Sequence, residues 1–278
     1  MRYFSTFTGV GGFDLGMPPD WECVGMSEID KYANMVLRYR FKDVKNYGDI
    51  EKINYEELPD FDVQIGGSPC QDISLAGKRA GLSGLRSRLF FSFVALLRAK
   101  QPNYFIFENV KGLLSSNEGW DIAEVINQFS EAGYDMWWQV LDASNFGVPQ
   151  HRERVFIFGT LRGSGTRKVF LEREDDITYK ESRTIVRTLT GGAHSGGLHS
   201  NMTAVITKKG IRRLTPTECE RLMGWPDLWT KYGIDENGNE AELSDSQRYK
   251  LIGNGVVPQV VNEIVKYLIL DIIDKEVS

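Results

Sequence analysis

Cysteine and histidine are scarce in this chain of 278 residues, which contains three of each. The cysteines are Cys23, Cys70 and Cys219, and no two of them form a Cys-x-x-Cys pair. An odd and sparse set of cysteines argues against a disulfide framework and against a zinc site. We therefore expect no metal cofactor.

Long apolar runs are lacking as well. The longest one, at residues 267–273, is too short to span a membrane and is interrupted by Asp271. The first six residues do not have the layout of a signal peptide. We therefore expect no contact with a membrane and a location in the cytoplasm.

Charge is distributed unevenly along the chain, although the net charge is only −5. Residues 150–215 contain 13 Lys and Arg against 6 Asp and Glu, a net charge of +7, whereas the rest contains 20 against 32, a net charge of −12. A basic segment in an otherwise acidic protein indicates either a surface that faces nucleic acid or a solvated basic loop region.

Short apolar runs alternate with amphipathic segments over the first 160 residues. We predict strands at 3–7, 22–26, 62–65, 104–107, 136–141 and 154–159, and helices at 30–40, 87–100 and 121–132. This alternation is typical of an α/β fold with a mostly parallel sheet that is covered by helices. The length favours one large domain accompanied by a smaller one.

Residues 161–210 have a different composition, rich in Gly, Ser, Thr, Arg and Lys, and show no helical periodicity. Such a long loop-rich region in a compact protein is often functional. Helical signals return at Thr215-Pro216-Thr217-Glu218, which has the form of a capping box with proline at the first helical position. Two further helices are predicted, one from 244 or 245 and one over 258–273.

A glycine-rich turn, Phe7-Thr8-Gly9-Val10-Gly11-Gly12, follows the first predicted strand. Glycines at such a turn let the backbone approach a ligand closely. Glu28 lies 19 residues after Gly9, the spacing at which α/β nucleotide-binding proteins place a carboxylate for ribose hydroxyls. Asp49 could accept a hydrogen bond from an adenine amino group, or it is a surface turn residue. The glycine spacing does not fit the dinucleotide pattern, and a purely structural turn remains an alternative.

Cys70 and Glu108 are the candidate catalytic residues. Cys70 lies in Pro69-Cys70-Gln71 after the double glycine Gly66-Gly67, and Glu108 follows 38 residues later at the end of another apolar run. A thiolate can attack an electron-poor ring, and a carboxyl group with a raised pKa can protonate it. The alternatives are a buried structural cysteine and a solvated residue at a strand end.

Basic residues follow the candidate nucleophile. The segment 72–89 carries four cations against one Asp, and three glycines are spaced through it; the cations are Lys78, Arg79, Arg86 and Arg88. This composition indicates a mobile lid over an anionic substrate. Further along, Arg152 and Arg154 are two residues apart and would share one face of a strand. They could orient Glu108, a base or a phosphate, or form an ordinary exposed strand.

Taken together, these motifs resemble the DNA (cytosine-5)-methyltransferases that depend on S-adenosylmethionine, of the bacterial or phage type. The resemblance covers nearly the whole chain and follows the order of the family. The matching elements are Phe7 to Gly11, Glu28, Gly48-Asp49-Ile50, Pro69-Cys70-Gln71, Glu108-Asn109-Val110, Gln150 to Arg154, Arg213-Leu214-Thr215-Pro216 with Glu218 and Gly224-Trp225-Pro226, and Gly253-Asn254-Gly255-Val256.

The resemblance implies a role for each matched residue. The catalytic set would be Cys70, Glu108, Arg152 and Arg154. The cofactor set for S-adenosyl-L-methionine and its product S-adenosyl-L-homocysteine would be Phe7, Gly9, Gly11, Gly12, Glu28, Ile29, Asp49, Ile50, Pro69, Asn254 and Val256. The DNA-contacting set would be Gln71, Ser74, Lys78, Arg79, Arg86, Arg88, Thr188 and Thr190, with the Thr188-Leu189 element near a flipped base.

The resemblance also implies the architecture and the reaction. Residues 1–165 and 246–278 would form a Rossmann-like methyltransferase domain, and 166–245 a small loop-rich target recognition domain. The enzyme would flip a cytosine out of double-stranded DNA, form a covalent bond between Cys70 and C6, and methylate C5 within a short specific sequence. It would act as a monomer in a bacterial cell or be encoded by a phage, in some cases beside a cognate restriction endonuclease.

Three alternatives stay open from the sequence. An RNA cytosine-5 methyltransferase of the same fold, such as the animal tRNA enzyme, would carry a Cys-Phe-Thr element after Glu-Asn-Val, whereas residues 111–149 contain no cysteine. A non-catalytic DNA-binding homologue would have no use for Cys70 together with Glu108 and the two arginines. An NAD-dependent oxidoreductase is supported only by the glycine-rich turn.

Overall fold

The structure is a computed structural model that describes residues 1–68, 88–163, 189, 204–207 and 210–276. Its centre is a six-stranded sheet with the strand order β2-β1-β3-β4-β6-β5. The strands are β1 (Arg2–Thr6), β2 (Glu22–Ser27), β3 (Val63–Gly66), β4 (Tyr104–Val110), β5 (Tyr134–Asp142) and β6 (Glu153–Leu161). The first four strands are mutually parallel, and β6 lies antiparallel between β4 and β5. The predicted mostly parallel sheet is confirmed.

The helices begin where the sequence predicts them. They are α1 (Lys31–Arg40), α2 (Arg88–Lys100), α3 (Trp120–Glu131), α4 (Pro216–Leu222), α5 (Asp245–Asn254) and α6 (Pro258–Glu276). The Asp30 side chain accepts hydrogen bonds from two backbone N–H groups in the first turn of α1. Thr215 and Glu218 form the predicted capping box of α4, and Ser244 and Gln247 form another at α5. These caps satisfy N–H groups that have no partner inside a helix.

Two short hairpins complete the described elements. One pairs β7 (Ala204–Thr207) with β8 (Gly210–Arg213), and the other pairs β9 (Tyr232–Ile234) with β10 (Glu240–Glu242). The sequence analysis predicted none of these four strands, because runs of three or four residues carry little periodicity. Among the described residues, no helix is both long and apolar enough to cross a membrane.

The sheet separates two hydrophobic clusters because side chains alternate along each strand. On one face, Ile106 of β4 belongs to a core that includes Val261 of α6 and Val36 of α1. On the other face, Phe105 belongs to an aromatic cluster with α2 and α3, where its ring centroid is 4.4 Å from that of Phe129. The same alternation directs Glu108 to the face of Ile106.

Residues 214–243 pack into the same core as the first cluster. Leu214 and Leu243 are buried there together with residues of α1 and α6. Gly233 of β9 has no room for a side chain, because a Cβ would lie 2.6 Å from the Cβ of Met35 in α1. The guanidinium of Arg40 in α1 donates to the carbonyls of residues 228 and 229. The boundary of the recognition domain at residue 245 stays a prediction. Residues 214–243, which lie inside that predicted domain, share the core of the catalytic domain and have no separate core.

A buried polar cluster lies beneath the first glycine turn. The Asp14 carboxylate accepts hydrogen bonds from the Ser5 hydroxyl at 3.2 Å and from the Cys23 thiol at 3.8 Å. Asp14 is only 8% exposed, and this burial raises its pKa to about 6. The ionised carboxylate is therefore less stable here than in water.

Asp14 predicts a specific pH dependence of stability. Its pKa in the folded state lies above the ordinary value, so its contribution is fully present below about pH 4 and is lost as the pH rises through about 6. We expect the free energy of unfolding of the wild type to fall by about 2 kcal/mol more than that of Asp14→Asn between pH 4.5 and 7.5. Urea unfolding at both pH values measures this difference. Parallel curves for the two proteins would contradict it.

Candidate active site

Glu108 and Arg154 form an ion pair at the end of β4. Glu108 is opposite Phe156 in the antiparallel register between β4 and β6. Arg154 lies two residues from Phe156 and therefore on the same face, diagonal to Glu108. The distance from Arg154 Nε to Glu108 Oε1 is 3.0 Å, and the two side chains are only 16% and 17% exposed. The sequence analysis gave Arg152 and Arg154 as residues that could orient Glu108, and the structure pairs Arg154 with it.

Burial controls the protonation of Glu108. It raises the pKa of this carboxyl group, and the charges of Arg154 and then Arg152 act in the opposite direction. The net shift is upward, so Glu108 keeps its proton to a higher pH than an exposed glutamate does. A partly buried carboxyl group whose pKa is raised and whose orientation is fixed by an arginine is suited to donate a proton to a ligand.

The chain that leaves β3 passes directly against Glu108. A Cβ at Gly67 would lie 2.6 Å from the Glu108 carbonyl oxygen and 2.9 Å from Oε2. A Cβ at Gly66 would overlap Thr6, and its φ of +156° also disfavours other residues. The Asn109 amide donates to both the carbonyl and the hydroxyl of the buried Ser68, at 3.4 Å each. The double glycine therefore permits a close approach that a larger residue would prevent.

Several predicted site residues lie outside the described part of the chain. They are Pro69, Cys70, Gln71, Ser74, Lys78, Arg79, Arg86, Thr188 and Thr190. Arg88, the remaining predicted DNA contact, begins α2 and pairs with Glu51 at 2.9 Å. Leu189, between the two threonines, is described and is 3% exposed. The roles of all these residues stay predictions.

Arg152 has partners of a different kind from those of Arg154. Its Nη1 donates to the carbonyl of Leu189 at 2.8 Å. Its Nη2 donates to the carbonyls of Gly253 and Gly255 at 3.1 and 2.6 Å. Arg152 therefore holds backbone around the site, whereas Arg154 contacts Glu108 directly.

The glycine-rich turn forms a cradle beside Glu28. Gly9 has a φ of +58°, and a Cβ there would meet no atom within 4 Å. The Gly9 N–H donates to Glu28 Oε2 at 2.7 Å, while Oε1 accepts from the N–H groups of Ile29 and Asp30. Burial raises the pKa of Glu28. The predicted proximity of this carboxylate to the glycine turn is therefore present.

Asn46 joins the Glu28 loop to the segment that contains Asp49. Its Oδ1 accepts from the N–H of Glu28 at 3.1 Å and from that of Gly48 at 3.0 Å. Asp49 itself accepts from the Glu51 N–H, and Ile50 beside it is buried. Asn46 was not predicted as a site residue, since a single asparagine in a turn gives no sequence signal.

Two tryptophans hold the remaining parts of the cradle, and the sequence analysis missed both roles. The Trp229 indole N–H donates to the carbonyl of Val10 in the glycine turn at 2.8 Å. The Trp225 indole N–H donates to the carbonyl of Val256 at 2.9 Å, and Val256 in turn lies against Gly12. Asn254 is exposed at the end of α5. Buried indoles usually have a hydrogen-bond partner. The Gly224-Trp225-Pro226 motif was therefore the sequence signal from which the role of Trp225 could have been predicted.

The cradle fits a nucleoside. The carboxylate of Glu28, which is predicted to bind ribose hydroxyls, lies beside Gly9, and the apolar side chain of Ile29 next to it is 67% exposed. The space next to Gly9 leaves room for a ligand against the backbone. Among the described residues, no group of three or more His, Cys, Asp and Glu is arranged to hold a metal ion.

Gly67 gives a direct test of the site geometry. Gly67→Ala places a methyl group against the Glu108 carbonyl and carboxylate, and a displacement of about 1 Å at a catalytic group can cost about 100-fold in rate. We expect a loss of that order, together with a lower unfolding midpoint because the methyl group also overpacks the site by about 1–3 kcal/mol. The rate is therefore measured at a temperature at which the variant is folded. Gly112→Ala is the matched control, because the nearest atom to its Cβ is 3.8 Å away. Equal activity of the two variants would contradict the close approach.

The chain matches one family over almost its whole length. A family model described as C-5 cytosine-specific DNA methylase matches residues 1–195 and 176–270. The Type II methyltransferase M.Bsp6I of a Bacillus species is 32% identical over 316 aligned positions, covering 95% of this chain and 97% of the relative. M.HhaI of Haemophilus parahaemolyticus is 29% identical, covering 95% and 93%. An orphan methyltransferase of Bacillus phage SPR is 42% identical over 164 residues, which is 57% of this chain but only 37% of that relative.

Solved structures share the fold at lower sequence identity. EhMeth of Entamoeba histolytica has a TM-score of 0.74 at 17% identity and covers 98% of both chains. The Dnmt2 methyltransferase of S. pombe has a TM-score of 0.73 at 17% identity, covering 98% of this chain and 99% of that one. The Rossmann-like methyltransferase fold predicted from the sequence is confirmed.

Proposed function

The chain belongs to the C-5 cytosine-specific DNA methylase family, and we propose that it transfers a methyl group from S-adenosyl-L-methionine to C5 of cytosine in double-stranded DNA. The observation that carries the proposal is the contact of the 66–68 segment with Glu108, which is itself paired with Arg154. We expect a short specific target sequence. The enzyme would act as a monomer in the bacterial cytoplasm, and its partner would be a cognate restriction endonuclease that acts on the same sequence.

Covalent connectivity supports Cys70 as the nucleophile. Ser68 is anchored to Asn109, the neighbour of Glu108. Cys70 follows Ser68 by two residues, and two residues of extended chain span at most about 7 Å. The thiol therefore belongs to a segment that starts beside the carboxyl group with which it would act.

The reaction uses Cys70 and Glu108 together on one pyrimidine ring. The Cys70 thiolate forms a bond to C6, and the electrons of the C5–C6 double bond shift toward N3, which takes a proton from Glu108. C5 then becomes the electron-rich end of an enamine. After C5 has gained the methyl group, a base removes its proton, the sulfur–C6 bond breaks, and the proton on N3 returns to Glu108. Covalent addition thus makes an otherwise inert carbon nucleophilic.

The residues of the cradle would hold the cofactor. When bound, S-adenosyl-L-methionine supplies a methyl group on a sulfonium, and S-adenosyl-L-homocysteine is the product. Glu28 would accept hydrogen bonds from the ribose hydroxyls, and Ile29 would pack against the adenine. Asp49 would accept from the adenine amino group, while the backbone of the glycine turn and of residues 254–256 would enclose the amino acid portion.

DNA is the expected partner of the basic regions. Residues 150–215 carry a net charge of +7, which favours the phosphate backbone. A thiol of the protein cannot reach the ring of a cytosine that is stacked inside a duplex, so the base must be flipped out of the stack. We assign residues 166–245 to target recognition, with the Thr188-Leu189 element near the flipped base. The residues that we assign to DNA contacts are Gln71, Ser74, Lys78, Arg79, Arg86, Arg88, Thr188 and Thr190.

Cys70→Ala tests the nucleophile. Without a thiolate no adduct forms, and we expect methylation to fall by at least about 10⁴-fold while DNA binding persists. Bisulfite sequencing of DNA from a methylation-free host that expresses each protein reports the modified base and its sequence context together. Cys23→Ala is the matched control and should methylate at the wild-type sites. Methylation by Cys70→Ala, or on tRNA in place of DNA, would contradict the proposal.

The pH profile tests the role of Glu108 as a proton donor. Activity requires the protonated carboxyl group, so the single-turnover rate should fall as the pH rises above its pKa. The Arg154 charge lowers that pKa against the effect of burial. We therefore expect Arg154→Gln to move the alkaline limb to higher pH and to lower the maximal rate. A limb that stays in place or moves to lower pH would contradict the assignment.

A further inference from the structure

Arg152 connects two stretches of backbone that are distant in the sequence. Its guanidinium is buried just before β6, and the residue is 3% exposed. One terminal nitrogen donates to Leu189, and the other donates to Gly253 and Gly255. A single planar group therefore fixes the position of both stretches relative to each other.

Leu189 is held from both sides of its peptide backbone. Its N–H donates to Gln150 Oε1 at 3.0 Å, and its carbonyl accepts from Arg152 at 2.8 Å. Its side chain is buried in the main core. The Gln150 amide also donates to the carbonyl of Leu222 at 3.0 Å. Leu189 lies in the segment that we assign to target recognition, so this segment is attached to the catalytic domain at that point.

The other stretch belongs to the cofactor cradle. Gly255 has no room for a side chain because Trp225 lies against it. The next residue, Val256, packs against Gly12 of the glycine turn. A Cβ added at Gly12 would lie 3.0 Å from the carbonyl oxygen of Val256. The carbonyls that Arg152 holds therefore set the position of a wall of the cradle.

Burying the Arg152 guanidinium costs desolvation free energy. Burial lowers the pKa of Arg152 to about 9, with the charge of Arg154 acting in the same direction. Among the described residues, the Arg152 Nε has no hydrogen-bond partner. Neutral side chains would anchor one loop at a lower cost. The guanidinium differs in presenting rigid donors to two loops at once.

We propose that Arg152 is a positioning residue that couples the recognition segment at Leu189 to the cofactor loop at Gly253 and Gly255. An ordered Leu189 segment would then favour the arrangement of the cradle that binds the cofactor. DNA and cofactor would increase each other's affinity by the same factor, as thermodynamic linkage requires. This inference rests on the proposed function, because it takes DNA and the cofactor as the two ligands.

The test compares the affinity for S-adenosyl-L-homocysteine with and without DNA. Equilibrium dialysis of the radiolabelled compound, with and without unmethylated plasmid DNA, gives the coupling factor as a ratio of dissociation constants. We expect about tenfold for the wild type and a factor near one for Arg152→Lys, because the three donors of an ammonium lie on one nitrogen and cannot reach both loops, which two separate nitrogens of the guanidinium contact. Arg162→Lys is the matched control: Arg162 also donates to backbone carbonyls, those of Ser130 and Tyr134, but at the other end of β6.

The outcomes separate the two claims. A wild type that methylates the plasmid but shows a coupling factor of one overturns the inference alone, as does a wild-type factor in Arg152→Lys or an equal loss in Arg162→Lys. A wild type that neither methylates the plasmid nor binds the compound overturns the proposed function and the inference together.

A second measurement needs no variant and covers the case in which Arg152→Lys does not fold. In the wild type, S-adenosyl-L-homocysteine alone should slow hydrogen exchange of the Leu189 amide, which donates to Gln150. Ligand binding also stabilises the whole fold, so the Arg162 amide, which donates to the Gly133 carbonyl at the other end of β6, is the reference. Coupling predicts more slowing at Leu189 than at Arg162, and equal slowing of the two amides would overturn the inference. Unchanged exchange at Leu189 upon saturation would overturn the inference.

Discussion

The burial of one carboxyl group beside one arginine is the constraint on which the active site depends. Glu108 follows four aromatic and aliphatic residues of β4, and the antiparallel position of β6 next to β4 brings Arg154 to it. Burial raises the pKa of Glu108, and the contact with Arg154 fixes the orientation of its carboxyl group. The two effects together suit Glu108 to the proton donation that we propose.

The double glycine lets the chain that leaves β3 approach this carboxyl group closely. Without side chains at 66 and 67, the chain leaving β3 contacts Thr6 and Glu108 directly. The Asn109 amide donates to Ser68, while its neighbour Glu108 pairs with Arg154. Two successive residues of β4 therefore contact two different segments. The glycine turn, the Asn46 bridge and the two indole donors build the cofactor cradle at the ends of the neighbouring strands. At this edge of the sheet, backbone segments that contain glycine therefore pack closely against the residues of the site.

Much of this arrangement could be predicted from the sequence, because local patterns determine it. Apolar periodicity gave the six strands and the helices, and Thr215 with Glu218 gave the start of α4. The spacing from Gly9 to Glu28 predicted their proximity, which a hydrogen bond now shows. What could not be predicted depends on contacts between distant residues. The different partners of Arg152 and Arg154, the indole bonds to Val10 and Val256, and the burial of Asp14 all arise from packing that no local pattern encodes.

The most direct test of the account is covalent capture of the ring by the nucleophile. A duplex of mixed sequence, with 5-fluorocytosine in place of cytosine in one strand, cannot lose a proton from C5, so the adduct should persist once the methyl group has been transferred. Mass spectrometry of the digested complex should find the modified nucleotide on the peptide that contains Cys70. The absence of an adduct, or an adduct on Cys23 or Cys219, would contradict the account.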